Sequence, residues 1–336
     1  MGVVRRVVVV HCGAMMKALN LNNRELTLRC DQLAPAVGND EVLLKVLLAG
    51  ICGTDLALLN GYANFNGIPG HEFVAMVVET GDGVDDGLKG RRVIAEINQW
   101  CGECDQCARK HYSHCLNRRV VGIRDHQGCF AECLVVKANT LHIIPERISD
   151  RQAVFIEPLA AAFRIVEQLQ SRDYDDVLLI GAGRLGQLIA RVMVLQKKQL
   201  TVVVRHAQQR KLLQGLPLDC VDESAVEAKT VDVAIDATGQ QSGLMLALHA
   251  LRPQGACIMK SSYSSPIEVD LTKLVIDEVE LVGSRCGPFS TAIKALEGGL
   301  IETESLIDAT FSIDDYLAAF ALAQKKGSMK VLIKPH

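Results

Sequence analysis

The stretch Val177-Leu-Leu-Ile-Gly181-Ala-Gly183-Arg-Leu-Gly186 runs from an apolar strand through a Gly-x-Gly-x-x-Gly turn into a helix. Gly181 permits the tight turn, Gly183 lets the backbone approach a pyrophosphate, and Gly186 allows the helix to pack closely on the strand. The helix N-terminus then turns its free N–H groups toward the phosphates. Working outward, apolar runs predict strands over 176–180, 200–204, 231–237, 256–260 and 279–282. Helical spacing predicts helices over 186–196, 208–214 and 243–251. Strands alternating with helices in this way make a parallel sheet of βαβ units. In that setting the glycine turn reads as a dinucleotide-binding site.

An acid is expected about 20 residues beyond the glycines, at the end of the second strand, to accept from the ribose hydroxyls of NAD. That position is held by Arg205, in Thr201-Val-Val-Val-Arg205-His206, and the next acid is Asp219. A guanidinium has no acceptor, but it pairs well with a 2′-phosphate. NADP is therefore the expected cofactor, with NAD the alternative if Arg205 is only an exposed loop residue.

From 16 to about 145 the texture differs: short β-rich runs, such as 42–48 and 73–79, lie between Gly, Asn and Asp clusters. An Ala/Leu-rich helix is expected over 152–170. The tail returns to helices over 290–297 and 313–325 and a strand over 330–333. A chain of 336 residues accommodates two domains, each with its own core. Its hydrophobic fraction of 49% and charged fraction of 22% are those of a globular protein, which excludes disordered and fibrous architectures. A net charge of −3 offers no basic face for nucleic acid. The apolar runs 42–52 and 177–189 are interrupted by Lys45 and Arg184, short of a membrane span, so a soluble, cytoplasmic chain is expected. Residues 1–15 read as an extension. The valines at 7–10, behind Arg5 and Arg6, are too few for a signal-peptide core. Arg6 breaks the myristoylation pattern, and Met16-Lys17-Ala18-Leu19 reads like an ordinary start.

The chain has 12 cysteines, which suit metal binding better than a disulfide scaffold, since such scaffolds are short and loop-rich. Cys101, Cys104, Cys107 and Cys115 follow a Cys-x2-Cys-x2-Cys-x7-Cys spacing. Four thiolates saturate tetrahedral zinc and leave no open position, which defines a structural site. Three further segments carry ligand-type residues: Gly50-Ile-Cys52-Gly-Thr54-Asp55, Gly70-His71-Glu72 and Glu157-Pro158. A thiolate, an imidazole and a carboxylate are what an open, catalytic zinc site uses.

Together these segments resemble the zinc-dependent medium-chain dehydrogenase/reductase family, which includes alcohol, threonine and polyol dehydrogenases. The resemblance runs from Met16 nearly to the C-terminus and takes in Glu157-Pro158-Leu159, Asp236-Ala-Thr-Gly239 and Gly283-Ser-Arg-Cys-Gly-Pro288. It implies an α/β chain with a GroES-like β-rich catalytic domain over 16–154, carrying a structural zinc lobe at about 97–118. A Rossmann doubly wound parallel-sheet domain over 155–285 follows, then a return to the catalytic domain over 286–336. Cys52 and His71 are implied as catalytic zinc ligands, with Glu72 and Glu157 completing or exchanging at the metal. Asp55 is implied to orient His71 through its second nitrogen. The expected cofactor contacts are Gly181, Gly183, Leu185, Gly186, Arg205, Arg210 and Thr238. About two zinc ions per chain are expected, as is a homodimer or homotetramer.

Three positions depart from the family pattern. Ala75 stands where glycine usually follows Gly-His-Glu, Ala57 where many relatives end their proton relay in histidine, and Arg205 where an acid is usual. The implied reaction moves a hydride between a secondary alcohol, polyol or sugar-like hydroxyl and a nicotinamide, with zinc as the Lewis acid. Thr54 would pass the proton toward the cofactor ribose, and with alanine at 57 it would leave through water. The Glu-Pro form of 157–158 is similar to the polyol branch. Residues 61–66 and Trp100 either line the substrate pocket or serve as packing. Two other readings compete. A zinc-independent NADPH reductase of activated alkenes or quinones would be expected to lack Cys52 and His71. A non-enzymatic cofactor- or zinc-binding regulator would have no need of Thr54.

Overall fold

In the computed structural model, which describes residues 13–263 and 266–336, the chain opens with an antiparallel hairpin of β1 (Met15–Asn22) and β2 (Glu25–Leu33). Met15 already belongs to a strand, and residues 1–12 of the expected extension lie outside the described residues. The centre of the first unit is β3 (Glu41–Gly50), whose side chains alternate between two cores. Val42, Leu44 and Val46 enter one apolar cluster and Leu43 another, as the period of two requires. The short helix α1 (Gly53–Leu59) leaves the end of β3, and β4 (Glu72–Thr80) pairs antiparallel along β3 until Gly50 faces Glu72. β5 (Arg92–Ala95) extends the sheet beside β4. β6 (Asn98–Gln99) and β7 (Arg119–Val120) clamp the base of the cysteine-rich lobe, which contains α2 (Asp105–Ala108). β8 (Cys133–Lys137) takes the other edge of β3 over its first half, and β9 (Leu141–Ile143) pairs with β5.

The helix expected over 152–170 is broken in two, α3 (Asp150–Ala153) and α4 (Ile156–Leu169). Val154 and Phe155, both buried, form the turn between them. Val154 packs against Gly50, and Phe155 lies under the Lys330 ammonium, 5.6 Å from it.

Next come β10 (Asp176–Ile180), α5 (Arg184–Val194), β11 (Gln199–Val203), α6 (Ala207–Leu213) and β12 (Asp219–Val221). They are followed by β13 (Val231–Asp236), α7 (Gln241–Ala250), β14 (Leu251–Met259), α8 (Leu271–Ile276) and β15 (Glu280–Gly283). The six strands are parallel, in the order β12-β11-β10-β13-β14-β15. Strand order reverses between β10 and β13, the place where doubly wound sheets open a crevice for ligands at their carboxyl ends. Ile180, Asp236, Met259 and Gly283 share one register. The residues after them, Gly181, Ala237, Lys260 and Ser284, therefore form a row along that edge. The three-residue β12 was not expected from sequence, being too short to show a period.

The chain closes with α9 (Phe289–Glu297), β16 (Ile307–Ser312), α10 (Tyr316–Gln324) and β17 (Lys330–Lys334). β17 pairs with the last residues of β3, and β16 pairs parallel with β17, completing a seven-stranded sheet. The helix expected from 313 begins instead as a 3-10 turn over Ile313–Asp315, capped by Ser312. One compact unit comprises the chain up to Glu157 with Leu296–Lys325 and Lys330–His336; the other comprises Pro158–Ala295 with Lys326–Met329. The return therefore falls at Leu296 rather than at 286. Gly287 still presses on α4, so closely that a Cβ there would lie 2.0 Å from the Ala160 carbonyl oxygen. No helix among the described residues is long and apolar enough to cross a membrane.

The glycine turn sets its own test. A Cβ on Gly186 would lie 1.9 Å from the Gly181 carbonyl oxygen, whereas one on Gly183 would meet nothing within 4 Å. Gly186→Ala is expected to lower the unfolding free energy of this unit by about 1–3 kcal/mol in a urea titration. Gly183→Ala should leave it nearly unchanged.

Candidate active site

β3 ends at Gly50, and Cys52 becomes the N-cap of α1. Its thiol accepts from the Thr54 N–H at 3.4 Å, while its own N–H donates to Asp55 Oδ2 at 2.8 Å, a reciprocal capping box. Asp55 is buried, and its other oxygen faces His71 Nδ1 at 3.4 Å. Neither of those two buried atoms has a hydrogen-bond partner among the described residues. His71 is delivered by Gly70, which takes φ +97° and passes so close to Phe130 and Cys129 that a Cβ would lie within 2.9 Å of both. With Nδ1 toward Asp55, the remaining ring nitrogen is the one free to bind metal.

One ligand atom each from Cys52, His71 and Glu72 lies within 4.8 Å of the others. Burial acts to lower the His71 pKa, yet the neighbouring charges of Asp55 and Cys52 outweigh it and hold the imidazole well above the usual histidine range. The pocket therefore favours a cation, and a divalent metal satisfies that demand while leaving the ring neutral. Thr54 Oγ1 lies 3.7 Å from Cys52 Sγ, and Ala57 sits half-buried on the same helix. Glu157 is buried at the start of α4 and does not join the three-residue group.

Glu72 Oε2 forms an ion pair with Lys330 Nζ of β17, and both side chains are buried. Gly50 leaves the space for it, since a Cβ there would lie 2.9 Å from Glu72 Oε2 and 3.1 Å from Lys330 Cδ. Lys330 was missed by sequence reasoning, because 258 positions separate it from Glu72 and nothing in its flanking residues marks it.

In the lobe, the sulfur–sulfur distances are 3.5 Å for Cys101–Cys115, 3.6 Å for Cys104–Cys107, 3.8 Å for Cys104–Cys115 and 4.0 Å for Cys101–Cys107. Four sulfurs at about 2.3 Å from a tetrahedral zinc stand about 3.8 Å apart, so the set fits that ion. Backbone N–H groups of Leu116 and Cys107 bring the Cys104 thiol down to about 6, while burial pushes Cys107 up to about 12. Trp100 stacks on Tyr112 within the lobe at 4.3 Å. Residues 63–66 line a cavity of about 570 Å³ together with Arg119, Ile123 and Gln127, among others, and none of Cys52, His71, Glu72 or Glu157 borders it.

At the sheet edge, Gly181 takes φ +98° and Gly183 caps α5 without any side-chain hydrogen bond, leaving the first N–H groups of that helix without a side-chain cap. Leu185 is half-buried in the first turn of α5. Thr238 donates its hydroxyl to the buried Asp236 at 2.6 Å and so shapes the loop after β13. Arg205 is exposed and meets Glu223 at 2.8 Å and Ser242 at 3.5 Å. Arg210 is tied to the β12 end by the Cys220 carbonyl and Asp222. Arg205 and Arg210, with His206 and Lys211, border a cavity of about 840 Å³. Glu223 and Ser242 were not expected from sequence; the fold, not spacing, brings them to Arg205.

Residues 38–146 match the alcohol dehydrogenase GroES-like domain. The chain is 30% identical to the L-threonine 3-dehydrogenase of Pyrococcus horikoshii over 89% of its own length and 93% of that protein's. It is 28% identical to D-arabinitol dehydrogenase 1 of Uromyces fabae, over 90% and 92%. Among solved structures, a protein described as a zinc-binding dehydrogenase from Sinorhizobium meliloti 1021, bound to NADP, superposes with a TM-score of 0.87 at 28% identity, covering 96% of this chain and 99% of that one.

The buried Glu72–Lys330 pair gives a test. Lys330→Met strands the Glu72 carboxylate in the core and is expected to cost about 3–5 kcal/mol of stability in chemical denaturation. Adding Glu72→Gln should recover most of that loss.

Proposed function

This chain belongs to the zinc-type medium-chain dehydrogenase/reductase family and is an alcohol or polyol oxidoreductase using a nicotinamide cofactor; we propose that Cys52, His71 and Glu72 form its catalytic metal site. The observation that carries this reading is the convergence of their ligand atoms within 4.8 Å, with Asp55 behind His71. When bound, zinc supplies a Lewis acid for the substrate oxygen, and the nicotinamide supplies the hydride acceptor.

The chain's own groups do the rest. Cys52 and His71 hold the metal, and Asp55 fixes the ring and tautomer of His71. Glu72 is kept in place by Lys330, and Glu157 is in reserve as an exchanging carboxylate. Thr54 Oγ1, beside the Cys52 sulfur, relays the proton of the substrate hydroxyl, accepting it while giving up its own hydroxyl proton toward the cofactor ribose. With Ala57 in place of a histidine, solvent carries that proton away. Cys101, Cys104, Cys107 and Cys115 form a second, closed zinc site that secures the lobe.

The substrate class is a secondary alcohol, polyol or sugar-like hydroxyl, and the cytoplasm is the proposed location. Self-association fits the open edge strand β15, where Leu271, Val275 and Ile276 of α8 and Leu281 expose apolar side chains. For the cofactor we favour NADP, bound at its 2′-phosphate by Arg205 once Glu223 gives way.

Comparing kcat/KM with NADPH and NADH over a panel of alcohols and polyols tests this reading. Wild type should prefer NADPH, Arg205→Asp should move the preference toward NADH by about tenfold or more, and Glu223→Gln should strengthen the preference for NADPH. An unchanged ratio in Arg205→Asp would remove Arg205 from the 2′-phosphate.

A further inference from the structure

Lys260 directly follows β14 and stands in the row formed with Gly181, Ala237 and Ser284 along the carboxyl edge of the parallel sheet. Its N–H continues the strand pairing to the Asp236 carbonyl at 2.9 Å, as the Ser284 N–H does to Met259 at 3.0 Å. The side chain does not run out to solvent. It is 8% exposed, and its ammonium donates to Ser284 Oγ at 3.0 Å and to the Arg285 carbonyl at 2.6 Å. A lysine that could have reached water is thus pinned at the ligand-facing edge of the sheet.

In a doubly wound sheet each half holds one mononucleotide of the cofactor. Here β10, β11 and β12 carry the glycine turn and Arg205, the adenosine side, so β13, β14 and β15 take the nicotinamide side. Neighbouring strands are about 4.8 Å apart, which puts Lys260 about 10 Å along the edge from Gly181. The ionisable groups nearby include Asp236, Tyr263 and the exposed Arg285, whose carbonyl holds the ammonium. Asp236 accepts from Thr238 at one oxygen and from the Tyr263 hydroxyl at the other, the latter at 2.5 Å.

The oxidised nicotinamide ring carries a positive charge and the reduced ring none. Resting on the nicotinamide reading above, we infer that Lys260 is a specificity-determining residue that makes the site favour the reduced cofactor. A fixed ammonium at a dehydrated edge repels the charged ring and is indifferent to the neutral one. The protein then holds NADPH more tightly than NADP+, and the equilibrium on the enzyme is drawn toward oxidation of the substrate.

The test is binding, not turnover. Dissociation constants for NADPH, from its fluorescence, and for NADP+, from calorimetry, are measured on the full chain. Wild type should bind NADPH about tenfold or more tightly than NADP+. Lys260→Gln should shrink that ratio several-fold by tightening NADP+, and Lys260→Arg should preserve it. Ser284→Asp, which sets a carboxylate beside the ammonium and keeps the lysine, should shrink the ratio too and serves if Lys260→Gln does not fold. A ratio unchanged in the folded variants, or equal weakening of both forms, would overturn the inference and leave Lys260 a structural tie. Failure of wild type to bind either form would instead overturn the cofactor reading itself.

Discussion

One buried carboxylate sets the geometry of the candidate site. Asp55 uses one oxygen to receive the Cys52 N–H and the other to face His71 Nδ1, so a single side chain positions two candidate metal ligands from different segments. The arrangement works because Asp55 is the third residue of α1, where a capping box reaches back to the N-cap. Helix capping and the placing of His71 here run through the same side chain. The unsatisfied pairing between Asp55 and His71, together with the high pKa of the imidazole, marks a place where positive charge is wanted.

The second constraint is space. Gly50 is not at a positive φ; it is glycine because Glu72, Lys330 and Val154 fill the place of its side chain. The long strand β3 thereby brings three distant parts of the chain together. β4 supplies Glu72, the α3–α4 break supplies Val154 and Phe155, and β17 supplies Lys330. A buried ion pair is costly to form and costlier to break, so this one fixes the carboxylate that adjoins Cys52 and His71.

Much of this was legible in the sequence where chemistry is local. The glycine turn needs three glycines within one strand–helix junction, and the four-cysteine lobe needs its ligands within one loop, so both can be read from spacing. Cys52, Thr54 and Asp55 are likewise contiguous. What could not be read depends on register between remote strands. Lys330 reaches Glu72 only because β17 pairs with the end of β3, and Glu223 reaches Arg205 only because β12 lies beside β11. The break in the helix over 152–170 was hidden because Val154 and Phe155 keep the apolar pattern of a helix. The charge at Arg205 was visible, but its partners were not.

The two proposed metal sites are of different kinds, one closed and one open, and metal analysis tests them most directly. Protein purified without chelators should contain about two zinc ions per chain, and Cys52→Ser should retain about one while losing turnover. A single zinc in the wild type, undiminished in Cys52→Ser with turnover intact, would contradict a catalytic metal held by Cys52 and His71.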